Sequence, residues 1–459
     1  MTSVGQGQAS EAKMGPVERC NRALDRARRA EAVFITLTPD LALAQAQASQ
    51  DRRGSGLSVG PLDGVPVAWK DLFDLAGTST TAGSQTLIGS DVKTKDAPVV
   101  AAGAAAGWVT IGKTNLSEFA FSGLGLNARF GTPTLRDRQG VRRVPGGSSS
   151  GAAVAVREGI VPIAIGTDTA GSIRVPAAFN GLVGYRSTST RYDRTGVFPL
   201  APTMDAIGPI AGSIRDCALV DADLCRRKAV HRPLGLPELT FVIDEVLLTN
   251  PAADTVVIAN LLRMADALER AGARVAVRPV AAIARARSAI KEAGWLGAVE
   301  AYRYHRRRLD GPDRALMDPR IVRRLEEAAP IQGQREDDLR HLRIELQRQL
   351  KVDLGAAILM TPTVAHTAPR LSDVEVDYES FARENLSALE GTMFGSFLDM
   401  PGLAIPSGSS DDGLATGVLF SAPAGSDDRL LSVGLSLEPV LAEQGFYQPR
   451  FATTILEDT

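Results

Sequence analysis

The sequence predicts an α/β protein, and three observations predict it. Short apolar runs that read as buried strands, Val65-Pro66-Val67-Ala68-Trp69 and Trp108-Val109-Thr110-Ile111-Gly112, alternate with a helix candidate over 96–106. A strongly amphipathic stretch over 254–271 lies between the strand candidates Thr240-Phe241-Val242-Ile243 and Arg274-Val275-Ala276-Val277. Two clusters of glycines and hydroxyls, Val144-Pro145-Gly146-Gly147-Ser148-Ser149-Ser150-Gly151 and Gly166-Thr167-Asp168-Thr169-Ala170-Gly171-Ser172-Ile173-Arg174, flank a further apolar run, Gly159-Ile160-Val161-Pro162-Ile163-Ala164-Ile165.

Taken in order, 18–48 reads as helix with Ala23, Ala27, Ala30 and Val33 at periodic positions, broken near Thr38-Pro39, and 51–58 as a polar linker. Residues 1–12 read as a polar tail. After the first cluster, a helix over 150–158 has serine and glycine at a start suited to N-capping and Gly159 at its stop. The apolar run is the next strand, and Pro176-Ala177-Ala178-Phe179 opens a helix stopped by Asn180-Gly181. Ser213 caps a helix to about 223. The 280–350 region is largely helical and dense in Arg and Glu, as exposed helices over a core would be. Ala356 to Thr363 returns to buried strand, a helix follows over 380–398, then strands at Leu403-Ala404-Ile405-Pro406 and Thr416-Gly417-Val418-Leu419-Phe420, and a last helix over 427–444.

Bulk properties narrow the function classes. With 44% apolar and 23% charged residues in 459, the chain has the material for a large core, and length allows up to about three domains. A formal net charge of −2 argues against nucleic acid or an anionic membrane as a direct partner. Cys20, Cys217 and Cys225 are scattered, which fits a reducing compartment without disulfides or a zinc knuckle. His231, His305, His341 and His366 are isolated and read as solvated or capping side chains; no metal site is expected. The first 20 residues lack an apolar signal core, and the longest apolar-rich stretch, 97–112, is too short to span a membrane, so a cytoplasmic location is expected.

Glycine at this density turns a backbone sharply and leaves amide N–H groups uncovered, and a serine in such a turn is a candidate nucleophile. Serine needs a neighbour to take its proton, and no histidine lies near either cluster. Ser-Lys arrangements are the alternative, and Lys70, closing an apolar strand, is the lysine best placed by context. Position alone leaves it either an exposed strand-end lysine or a base held neutral by burial. A phosphate-binding loop would need Gly-Lys-Ser/Thr, which neither cluster contains.

With these residues in view, the chain resembles the amidase signature family, which hydrolyses amides with a Ser–cisSer–Lys triad. The likeness runs from about Pro61 to Cys217 and recurs weakly in Met360-Thr361-Pro362-Thr363 and Phe397-Leu398-Asp399-Met400-Pro401-Gly402. It implies a single large α/β/α layered domain with a central mixed, twisted sheet covered by helices on both faces. An N-terminal helical segment (1–58) would precede a catalytic domain (59–459) comprising a core (60–225), a variable helical region (230–350) and a completing part (355–450). It also implies Ser172 as nucleophile, Ser148 as bridging serine after a cis peptide, and Lys70 as base. The backbone N–H groups of Thr169, Ala170, Gly171 and Ser172 would form the oxyanion hole. Asp168 and Arg174 would be a bracing ion pair, Phe121, Ser122 and Trp69 substrate-channel residues, and Ser149 and Ser150 capping residues. No cofactor is implied; the partner would be a small-molecule amide, with a homodimer left open. Ala170 stands where many relatives have glycine, and Trp69 is bulkier than usual.

The alternative inside the family is the glutaminase (A) subunit of an aminoacyl-tRNA amidotransferase. Ser288-Ala289-Ile290-Lys291 fits the Ser-x-x-Lys pattern of penicillin-binding enzymes, but lies among Arg285, Arg287 and Glu292 on what reads as a solvated helix.

Overall fold

The computed structural model of the chain describes residues 14–227, 231–248, 250–450 and 452. The polar tail expected over 1–12 lies outside them. Eleven strands of the described residues form one mixed sheet: β1 (Phe34–Leu37), β2 (Pro66–Lys70), β3 (Val109–Thr114), β4 (Ile163–Asp168), β5 (Val183–Arg186), β6 (Ala206–Ala211), β7 (Thr240–Ile243), β8 (Arg274–Val277), β9 (Ile358–Pro362), β10 (Gly402–Ser409) and β11 (Ala415–Ser421). Their spatial order is β1-β3-β2-β4-β6-β5-β10-β11-β9-β7-β8. The β3-β2-β4 and β9-β7-β8 groups are parallel, and antiparallel pairs join them.

Helices of seven residues or more are α1 (Pro16–Arg29), α2 (Pro39–Gly54), α3 (Pro98–Ala105), α4 (Ser150–Arg157), α5 (Arg174–Asn180), α6 (Ile214–Leu224), α7 (Thr255–Arg270), α8 (Ala281–Ala293), α9 (Leu296–Leu309), α10 (Pro319–Glu326), α11 (Gln334–Leu354), α12 (Tyr378–Phe397) and α13 (Asp427–Glu443). Strand side chains alternate faces, and that alternation builds two hydrophobic layers. Ala68, Ala164 and Ile210 pack with α1, α2, α4, α5 and α12; Val67, Trp69, Ile163, Ile165 and Ile207 pack with α3, α6, α7 and α13. The single α/β domain with helices on both sheet faces is therefore as expected. None of the described helices is long and apolar enough to cross a membrane.

Several local expectations fail for physical reasons. The stretch read as one broken helix is α1, β1 and α2, because Phe34-Ile35-Thr36-Leu37 finds an antiparallel partner in β3. The N-terminal segment thus supplies an edge strand and shares the core of the main domain. Its polar linker begins later, since α2 continues to Gly54. Strand β5, a glycine-interrupted tetrad next to a helix stop, carries no periodic signal and was not foreseen. His305 is neither solvated nor capping: it is fully buried, its ring centroid 4.2 Å from that of Phe119, with neither ring nitrogen partnered among the described residues. Ser288, by contrast, is exposed on α8, as its charged surroundings suggest.

Candidate active site

Lys70 ends β2 on the face that carries Ala68, at the carboxyl edge of the parallel strands, and it is completely buried. Its Nζ donates to Ser148 Oγ at 2.7 Å and to Thr167 Oγ1 at 2.9 Å. No carboxylate of the described residues forms an ion pair with it. Burial pulls its pKa down to about 7, while the more distant charges of Asp168 and Asp205 oppose that shift. The strand-end lysine is therefore interior and not exposed.

The first serine cluster is a turn held by its neighbours. Its Gly147–Ser148 peptide is cis. Gly147 N donates to Gly123 O at 2.7 Å, and a Cβ at Gly147 would fall 2.5 Å from Gly125 N, so only glycine fits. Ser117 N donates to Ser148 O at 3.2 Å. Neither remaining serine caps α4 with its side chain, contrary to expectation. Ser149 Oγ donates instead to Thr167 O at 3.3 Å, and Ser150 Oγ has no partner among the described residues. Ser149 N donates to Ser172 O at 3.2 Å, which ties the two clusters together.

The second cluster is the turn between β4 and α5. Asp168 Oδ2 accepts from the N–H of Ile173 (3.1 Å) and of Arg174 (3.3 Å). The Arg174 fork closes on the same carboxylate at 2.9 and 2.8 Å. Burial alone would raise the Asp168 carboxyl, but Arg174 and Arg186 hold it below its ordinary value. Thr169 Oγ1 donates to Asp205 Oδ1 (2.6 Å), and Thr392 Oγ1 of α12 donates to Ala170 O (2.5 Å). Gly171 has φ +152°, and a Cβ there would run into Thr392. Ala170 is not at positive φ, so its methyl sits in ordinary backbone.

Among the described residues, the backbone N–H groups of Thr169, Ala170, Gly171 and Ser172 have no protein acceptor. Four consecutive backbone donors are thus left open beside a serine, and such donors can give hydrogen bonds to an anion. Ser172 Oγ makes no hydrogen bond to another protein group among those residues, so Lys70 and Ser148 are joined directly while Ser172 is joined to them through backbone.

Of the expected channel residues, Phe121 and Ser122 are buried just before Gly123, whose carbonyl holds Gly147 N. Ser122 Oγ donates to Asn385 Oδ1 of α12 at 3.0 Å. Trp69 corrects the expectation: neighbouring strand residues face opposite ways, so it points away from Lys70. It stacks on Trp108 at 5.8 Å in the opposite hydrophobic layer. Sequence reasoning did not single out Thr167, Asp205, Asn385 or Thr392. Only Thr167, inside the second cluster, carried a signal; the others lie tens to hundreds of residues away from what they hold.

Among the described residues, one carboxylate–imidazole group, Asp221, His231 and Asp428, comes close enough to hold an ion. Guanidinium charge already fills it: Arg191 bonds both Asp221 (2.5 and 2.6 Å) and Asp428 (2.6 Å), and Arg227 bonds Asp428. These residues do not fit a metal.

A sequence model of the Amidase family matches residues 17–431. Over 192 residues the chain is 46% identical to the A subunit of the glutamyl-tRNA(Gln) amidotransferase of Cupriavidus metallidurans, a match spanning 42% of this chain and 38% of that protein. It is 31% identical over 405 residues to the 2-amino-5-chloromuconic acid deaminase of Comamonas testosteroni, covering 84% of each. A crystal structure of an amidase superposes with a TM-score of 0.82 at 27% identity, covering 95% of this chain and 98% of that one. The chain belongs to the Amidase family of amidohydrolases.

Proposed function

We propose that the protein hydrolyses the C–N bond of a small carboxamide through an acyl-enzyme on Ser172. The observation that carries this reading is the 2.7 Å contact between Ser148 Oγ and a fully buried lysine without a carboxylate partner. Neutral Lys70 takes the proton of Ser148 as Ser148 takes that of Ser172, whose hydroxyl rotates toward it. Ser172 Oγ then bonds the carbonyl carbon, and the oxygen's charge falls on the open N–H groups of residues 169–172, each typically worth about 2.7–4 kcal/mol in the barrier. The proton held on Lys70 returns through Ser148 to the nitrogen, the C–N bond breaks and the amine leaves. Water, deprotonated by the same relay, cleaves the ester, releases the acid and restores Ser172. Asp168 and Arg174 brace the turn without touching the reacting atoms.

Ser172→Ala should abolish amide turnover and labelling by a fluorophosphonate while leaving the melting temperature within a few degrees. Turnover at the wild-type rate would overturn the reading. The identity with amidotransferase A subunits supports a second reading, a glutaminase working in a complex. Assaying the chain purified alone separates the two: full activity without partners supports the standalone amidase.

A further inference from the structure

Helix α12 carries three buried polar side chains on one face. Asn385, Thr392 and Ser396 are spaced two helical turns and then one turn apart, so they line up along a single stripe. Each reaches a different part of the site. Asn385 Oδ1 accepts from Ser122 Oγ at 3.0 Å and from Gly123 N at 2.8 Å, and Gly123 O holds Gly147 N, one residue before Ser148. Ser396 Oγ accepts from Arg174 Nη2 at 2.6 Å, and the Thr392 carbonyl accepts from Arg174 Nη1 at 3.1 Å. Thr392 Oγ1 donates to Ala170 O at 2.5 Å, within the run of open backbone donors that ends at Ser172.

The Thr392 contact sets the direction of a peptide. Thr392 Oγ1 also lies 3.0 Å from Leu389 O, but that carbonyl is inside the helix and accepts from the N–H one turn on. Ala170 O has no other donor among the described residues. The hydroxyl has one proton, and the shorter contact takes it. In a planar trans peptide the C=O and the following N–H point opposite ways. Holding Ala170 O against α12 therefore turns the Gly171 N–H away from that helix, and Gly171 N is one of the donors without a protein acceptor among the described residues. The local backbone does not enforce this direction. Gly171, at φ +152° and without a Cβ, tolerates either orientation of the peptide before it. The Thr392 side chain occupies the space that a Cβ at 171 would need, so a stiffer residue cannot replace the glycine.

Resting on the amidase reading, we infer that Thr392 is a positioning residue: its hydroxyl fixes the Ala170–Gly171 peptide with the Gly171 N–H turned toward the charge that develops on the substrate oxygen. No hydrogen bond joins its side chain to Lys70 or Ser148, so its loss leaves the proton relay as it was. A donor held in this way acts on kcat more than on KM, because the charge it meets develops only as Ser172 attacks.

The test follows wild type, Thr392→Val and Thr392→Ser by fluorophosphonate labelling of Ser172 across pH and by hydrolysis of simple amides (hexanamide, benzamide). Valine keeps the shape and removes the donor. Thr392→Val should label and turn over roughly 30-fold more slowly or worse, with the loss in kcat and KM within about 3-fold. The inflection near pH 7 set by Lys70 should stay in place, and Thr392→Ser should recover most of the rate. If Thr392→Val does not fold, Thr392→Cys takes its place, and its weak thiol donor should leave it at least about 5-fold slower than Thr392→Ser. The inference is overturned if the variant without the hydroxyl labels at the wild-type rate, if serine fails to restore what that variant loses, or if the loss lies in KM alone. A wild type that neither labels nor hydrolyses would instead bring down the amidase reading, and this inference with it.

Discussion

Lys70 and Lys113 sit at the ends of neighbouring parallel strands, Lys113 in register with Trp69 and so on the opposite face from Lys70, and both are completely buried. Burial pulls down the pKa of each. Their partners differ. Lys113 Nζ lies 2.5 Å from Asp71 Oδ1 and also donates to Ser79 O and Thr80 Oγ1, so its charge is neutralised and saturated on the spot. Lys70 meets only neutral oxygens, those of Ser148 and Thr167, and feels its carboxylates from a distance. Burial is common to both lysines, so the base role proposed for Lys70 rests on what differs: no contacting carboxylate, and a hydroxyl at 2.7 Å that could pass a proton on.

The comparison can be broken by substitution. Lys70→Met should lower kcat/KM by about 10³-fold or more while unfolding stability changes little, since a methionine suits the buried position. Lys113→Met should do the reverse. It strands the Asp71 carboxylate in the interior and should remove about 3–5 kcal/mol of stability in urea unfolding, much of it restored by adding Asp71→Asn. Should Lys113→Met lose its activity at full stability, the division of labour between the two lysines would fail. The smallest effect concerns Thr167. Its hydroxyl accepts from the ammonium and so favours the charged form; Thr167→Val should lower the Lys70 pKa further. The acid limb of the kcat/KM profile should move to lower pH, with the maximal rate within about tenfold of wild type.

Much of this site is legible in the sequence, because its chemistry is compressed into short segments. The glycine–serine clusters are local, and the lack of histidine near them points to lysine. Asp168 and Arg174, six residues apart, meet as an ion pair at 2.8 Å. What escapes reading depends on tertiary contact. Asp205 holds Thr169 from 36 residues away, and Thr392 holds Ala170 from 222. Trp69 is misplaced by a linear reading because adjacency in sequence means opposite faces in a strand. The edge strand β1 and the interior strand β5 are four-residue elements fixed by their ladder partners rather than by their own pattern.

The central claim is that neutral Lys70 activates Ser172 through Ser148. The most direct measurement is the second-order rate of Ser172 labelling by a fluorophosphonate as a function of pH, in wild type and Lys70→Met. A lysine pulled down to about 7 is protonated below that pH and unable to accept, so the wild-type rate should rise through an inflection near pH 7 to an alkaline plateau. Lys70→Met should label orders of magnitude more slowly and show no such inflection. An unchanged rate with the same inflection in Lys70→Met would contradict the claim.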